Sequence, residues 1–577
     1  MKRSIKNIIM LMIIVLVCGG ISFTVKKANE SQQIPTSQNE GTPPSKPEGD
    51  SNTNMSEPPT KPDNDSNTEN MQTKEQMPKN NMAQNITTKI DTKYYVIFAL
   101  EGVIISSLIG YLILSQFNKK TFKETFVNAD KIVIILLIVI LLTAIITFIG
   151  GKVSEKNINN SEQSTMSFEQ GEPQNNSQSS NINYSASKEI TESTEISNST
   201  FTSSEKDENS VLVNGDIDVT LSDIKVNKTG DSDGGDNSNF YGNNSAILAK
   251  DGANLNLSNI EVTTDASGAN GVFSYGGSAT TNNSSSDGTT VNISDSKITT
   301  TGDNAGGIMT TGGGTTNASN LTINTAGTSS AAIRTDRGGG KVNVKGGTYT
   351  TTGQGSPTIY STAEINVSNA TLVAKASEGI VIEGKNSVSI DNCNLTDSNT
   401  KLNGQSTTYK NIFLYQSMSG DAENGNAEFS AKNSTITTNN GDTLYVTNTT
   451  ATINLENNNI VNNDNNGNFL RIQKDSWGKS GSNGGDVTLN LTNQKATGNI
   501  VVDSISTLNM TLKSASYYEG TINSDNSAES IKLTLNSSSK IKLTGDSYIT
   551  SLDDEDSSYS NIDFNGYKLY VNGVEIN

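Results

Sequence analysis

The residues with chemistry to offer fall on one face of a recurring short strand. Segments 247–250, 272–275, 308–311, 333–336, 359–362, 380–383, 412–415, 444–447, 470–473 and 500–503 all carry apolar or small residues at their first and third positions. On a pleated strand these point one way and the second and fourth point the other. The second column reads Leu248, Phe273, Met309, Arg334, Tyr360, Val381, Phe413, Tyr445, Arg471 and Val501, and beside it run Tyr275, Asp336, Glu383, Tyr415, Gln473 and Asp503. Aromatic residues make up only 6% of the chain, so their concentration on one outward strip marks a surface that is bound or covered.

Aromatic faces flanked by carboxylates and amides suit carbohydrate, whose apolar ring faces stack while its hydroxyls hydrogen-bond. The expected ligand-binding set is therefore Phe273, Tyr275, Arg334, Asp336, Tyr360, Glu383, Phe413, Tyr415, Tyr445 and Arg471. Trp477, the single tryptophan, joins it from one of three insertions that leave the same corner after Tyr275, Gln416 and Gln473. Catalysis is the alternative. Asp336 and Glu383 fall two turns apart, about 10 Å at the backbone, near the separation of an acid and base in an inverting glycosidase. Arg334, Arg337 or Lys385 offers a base for a lyase instead. In a third reading, loops or a partner chain cover the strip and the protein is a structural surface scaffold.

Composition narrows the field. The 577 residues contain no histidine, which removes Ser-His-Asp and Cys-His nucleophiles and His-ligated metal. A net charge of −19 with scattered lysines argues against a nucleic-acid partner. No cofactor is implied except calcium: Asp231, Asp233 and Asp236 place oxygen ligands at alternating positions, although Gly242 stands where an EF-hand needs its glutamate.

The elements that position the strip belong to a repeat. Its phrase is apolar-x-apolar, two turn residues, x-x-apolar, as in Val219-Thr-Leu-Ser-Asp-Ile-Lys-Val226, Leu255-Asn-Leu-Ser-Asn-Ile-Glu-Val262 and Val291-Asn-Ile-Ser-Asp-Ser-Lys-Ile298. Later copies start near Thr316, Val342, Ile365, Val388, Phe429, Ile453, Val487, Leu508 and Leu533. A unit this short cannot bury a core alone, so copies must stack. The expectation is an all-β, right-handed parallel β-helix of about twelve coils over residues 207–577, roughly 55 Å long at parallel-strand spacing. Cys393 belongs to an inward ladder with Ile260, Ser296, Ala370, Ser434 and Asn458, as a small buried side chain.

Ahead of the repeat lie three apolar segments and two polar linkers. Residues 1–27 read as a signal peptide or signal-anchor helix, 28–93 as a disordered extracellular linker, and 94–150 as two transmembrane helices. The loop 118–131 holds Lys119, Lys120, Lys123 and Lys131, which places it in the cytoplasm and residues 151–577 outside. Residues 151–206 read as a second disordered linker.

The wording of the repeats resembles a widespread family of predicted secreted β-helix proteins described as pectin-lyase-like or adhesin-like. The phrases that carry it include Thr335-Asp-Arg-Gly-Gly-Gly340, Ile382-Glu-Gly-Lys-Asn-Ser-Val388, Tyr415-Gln-Ser-Met-Ser-Gly-Asp421 and Leu543-Thr-Gly-Asp-Ser-Tyr-Ile-Thr-Ser-Leu552. The resemblance covers about residues 211–575, implies fold and exterior placement, and brings no catalytic residues with it. The whole reads as a multi-pass cell-membrane protein of a Gram-positive-like envelope. Its extracellular domain binds polysaccharide or cell-surface glycan, with a polysaccharide lyase or glycoside hydrolase as the enzyme alternative.

Overall fold

In the computed structural model, which describes residues 182–232, 235–278, 285–404 and 406–576, the repeated phrase forms two short strands joined by a tight turn. Asp218–Ser222 and Lys225–Lys228 are one copy, with Val219, Leu221, Ile224 and Val226 buried and the residues between them at the surface. The next copy lies alongside it in parallel, Val219 opposite Leu255, Leu221 opposite Leu257 and Val226 opposite Val262. Repetition builds a 22-stranded parallel sheet. The turn residue between the two strands has positive φ in Asp223, Asn259, Asp295, Asn320, Asn369, Asn392, Asn433, Asn457 and Asn493. Asn and Asp tolerate this left-handed conformation better than other side chains, which explains the turn residues in each phrase.

The chemistry-bearing segments make a second parallel sheet of 12 strands. Its register matches the expected columns: Ile247 pairs with Val272, Val272 with Ile308, Ile308 with Ile333, and so on through Ile359, Ile380, Ile412, Leu444, Leu470 and Ile500. First- and third-position residues join the apolar side chains of the other sheet in one continuous core. Cys393 is buried there as a free thiol, in contact with the Val367 carbonyl at 3.5 Å.

The stack departs from expectation at both ends. It starts at Ser185, not at 207: Ser185–Ile190 pairs with Glu208–Asn214, and Thr194–Ser197 and Thr200–Ser203 form a further rung, so the last part of the expected linker is folded. Few apolar residues mark this rung, principally Ile190, Ile196 and Phe201, which pack against the core. Toward the C-terminus, Ile453 pairs with Leu489 and Leu489 with Met510, two residues beyond the expected Val487 and Leu508. A slip of two keeps the same face inward, because the side-chain period is two. Ser551–Asp554 adds a last rung, and Leu569–Val571 turns back antiparallel onto Val574–Glu575.

The apolar segments at 1–27 and 94–150, and the linkers except for 182–206, lie outside the described residues. Among the described residues no helix is long and apolar enough to cross a membrane.

Candidate functional site

The outward strip is not open to solvent. Leu248, Phe273 and Met309 are fully buried and form a small cluster of their own with Leu212, separate from the main core. A short helix, Gly235–Tyr241, lies over them, with Tyr241 edge-on to Tyr275 at 5.6 Å. The approach is close: a Cβ on Gly242 would sit 2.6 Å from Leu248 and 2.9 Å from Phe273. Gly242 has φ +75°, so the turn needs glycine on both counts.

A second cluster holds Val381, Phe413 and Tyr445, flanked by Tyr360, Tyr415 and Trp477. Trp477 lies 5.3 Å from Phe413 and 5.2 Å from Tyr415, so its insertion roofs the strip and does not wall a groove over it. Of the two outcomes that such a strip allows, covering prevails. The outward apolar residues pack on one another along the sheet, and the insertions cover the side that would face water.

The carboxylates are equally enclosed. Asp336 and Glu383 stand two rungs apart as expected, with Thr362 on the rung between, but are only 3% and 1% exposed. Arg334 donates to Asp336 at 2.6 Å. Glu383 accepts from the hydroxyls of Tyr360, Ser417 and, at 3.0 Å, Tyr415. Burial pushes the pKa of both carboxyls above the usual range, with Arg334 pulling Asp336 back and the hydroxyls pulling Glu383 back. Burial next to Glu383 likewise raises Tyr360 and Tyr415. Arg337 is held by Asp421 at 2.5 Å and lies over the Phe240 ring at 4.1 Å, which ties the short helix to the insertion after Gln416. Lys385 pairs with Glu423 at 3.5 Å, and Arg471 with the buried Asp442 at 2.5 Å. Asp336, Arg334 and Glu383 are therefore enclosed in internal pairs, while Lys385 and Glu423 pair at the surface.

Asp231 accepts the Ser267 backbone amide at 2.9 Å, and Asp236 sits in the first turn of the short helix. Asp233 lies outside the described residues, among which no three acidic, Cys or His side chains are grouped to hold a metal.

A groove of about 690 Å³ lies open on the outer face of the other sheet. Its floor is the x position between the apolar residues of each phrase: Asn256, Asn292, Asn317, Asn343, Asn366 and Ser389. These side chains form a ladder. Asn292 donates to Asn256 at 3.0 Å, Asn317 to Asn292 at 2.9 Å, Asn343 to Asn317 at 2.9 Å, Asn366 to Asn343 at 3.3 Å, and the Ser389 hydroxyl to Asn366 at 2.7 Å. Beside it runs a column of Ser258, Ser294, Ser319, Lys345, Ser368 and Asp391. The sequence signal was present, since the phrase has Asn at x in five successive copies, but a polar residue at an outward position looks like ordinary solvated surface.

No family model, curated protein or solved structure matches the chain. The site must therefore be read from its own chemistry. A half-buried array of amides and hydroxyls, with Lys345 and Asp391 the ionised residues of its lining, can hold a ligand by many weak hydrogen bonds.

Proposed function

We propose that the chain is a membrane-anchored, outward-facing right-handed parallel β-helix that binds glycan or another surface polymer without cleaving it. The observation that carries this reading is the open amide-lined groove along the stack. Right-handed winding is the hand that parallel crossovers overwhelmingly take. The three apolar stretches of sequence supply the anchor, and the resemblance to adhesin-like repeat proteins agrees with exterior placement. The binding surface moves from the aromatic strip to the opposite sheet, because Phe273, Phe413 and Tyr445 are buried and cannot stack on a sugar.

The covered strip supports a second reading, a rigid scaffold whose partner is protein, since two outer clusters stiffen the stack. Full-length chain in detergent, passed over an immobilised polysaccharide panel and assayed for reducing ends and unsaturated uronates, separates the readings. Retention without product is expected. Product would establish an enzyme, and absence of retention on every polymer would leave the scaffold.

A further inference from the structure

The amide ladder has a pitch, and the pitch selects a ligand. Resting on the polymer-binding reading above, we propose that the groove takes an uncharged, extended glycan chain lying along the stack, one sugar per rung, of the kind made by equatorial (β-1,4) linkage of pyranoses.

The argument begins with hydrogen-bonding capacity. A primary amide has two N–H donors and two acceptor lone pairs. From Asn292 to Asn366 each amide spends one donor on the rung before it and accepts one bond from the rung after it. Asn292 and Asn366 use their nitrogens a second time, on Asn254 at 3.3 Å and Glu364 at 2.8 Å. Asn317 and Asn343, in the middle, keep one donor and one acceptor each. The lateral bonds fix every amide in the same orientation, so little side-chain entropy is lost when a ligand docks. The hydroxyls of Ser258, Ser294 and Ser319 have no protein partner among the described residues.

Parallel rungs repeat every 4.8 Å or so. The ligand must therefore present a donor and an acceptor at about that interval. An extended peptide repeats its backbone groups every ~6.8 Å and drifts off the rungs almost at once. A polyproline helix advances ~9.3 Å per three residues, close to two rungs, but such segments dock in aromatic-lined grooves. The lining here contains no aromatic residue. An extended chain of β-1,4-linked sugars advances by close to one rung per unit and turns alternate units over, so the same edge returns on every second rung, and each of its hydroxyls both donates and accepts.

Charge points the same way. Only Lys345 and Asp391 are ionised among the lining residues, and both lie toward the Ser389 end. A polyanion would meet no series of cations, and its sparse counter-charge would not offset the repulsion of a chain with net charge −19. The groove spans the rungs from Asn256 to Ser389, about 24 Å at that spacing, room for six sugars.

The test is calorimetric titration of full-length chain in detergent with neutral β-1,4 oligosaccharides of increasing length, alongside α-1,4 oligosaccharides, oligogalacturonates and a proline-rich peptide. Affinity for the β-1,4 series should rise with each unit and level off near six. Asn317→Ala with Asn343→Ala should weaken it about ten-fold, the worth of one or two neutral hydrogen bonds. If that variant melts early, Ser319→Tyr, which fills the groove without cutting the ladder, should have the same effect on affinity. Equal or tighter binding of α-1,4 chains or oligogalacturonates would overturn the rung match and leave polymer binding standing. Binding of the peptide alone, or of nothing, would overturn both.

Discussion

The Tyr445 hydroxyl donates to the Asp475 carboxylate at 2.7 Å, which joins the outward strip to the insertion that roofs it. Asp475 also accepts from the Thr407 hydroxyl at 3.0 Å, so the same carboxylate pins a second loop. Through these bonds a row of side chains that points away from the main core becomes the interior of a smaller one. The strip contributes stability where an open aromatic face would have contributed binding.

Trp477 reports on that roof. It is the only tryptophan, so its emission has a single source. Asp475→Ala should shift the emission to longer wavelength and raise its quenching by acrylamide, with a loss of about 1–3 kcal/mol from the Tyr445 O–H left without an acceptor. An unchanged spectrum would mean that the insertion is held by something other than this bond.

Lys410 is the cation at the centre of the second cluster. Its ammonium is fully buried, 3.5 Å from Glu378, 4.3 Å from the centre of the Phe413 ring and 5.3 Å from that of Tyr445. Burial lowers its pKa while Glu378 and Asp475 pull it back up. Lys410→Met leaves Glu378 buried and unpaired, a loss of about 3–5 kcal/mol, and adding Glu378→Met should recover much of it. Thermal melting of the two variants checks this, and equal destabilisation by single and double variants would contradict it.

Asp397 should make stability fall with pH. Burial is the main reason its carboxyl is pushed up to about 9; Glu378 raises it further, while the backbone amides of Asn399 and Ser398 and the Lys410 charge work against this. The folded state thus holds a proton that the unfolded chain releases near pH 4. Its contribution is complete below that pH and is lost progressively as pH rises through about 9. Asp397→Asn should accordingly melt higher than the parent at pH 8 and like the parent at pH 3.5. A constant difference across that range would mean that the proton is not retained.

The turn ladder predicts a conformational asymmetry. Asn369 has φ 56°, so Asn369→Gly should be nearly neutral and Asn369→Val should cost about 1–2 kcal/mol. Comparable melting of the two variants would show that the turn can relax.

This turn was legible in the sequence because its constraint is local, and so were the columns of the 12-stranded sheet, where ten successive four-residue segments open on Ile, Leu or Val. The cover was not. Whether Phe273 faces solvent depends on where Gly235–Tyr241, more than thirty residues away, comes to rest, and no periodicity encodes that. The first rung escaped for the opposite reason: Thr194–Ser197 offers a single apolar residue, Ile196, and is specified by pairing to Asp218–Ser222 more than by its own pattern. The groove needed stacking to become visible, since Asn292 is an ordinary outward amide until Asn256 and Asn317 are placed on either side of it.

Retention of full-length chain on immobilised polysaccharide, compared between a groove variant and a cover variant, tests the central claim most directly. Asn317→Ala with Asn343→Ala should weaken retention about ten-fold, as should Ser319→Tyr, and Asp475→Ala should loosen the roof and leave retention intact. Retention unchanged in both groove variants, or lost with the cover variant alone, would return binding to the strip and contradict the account.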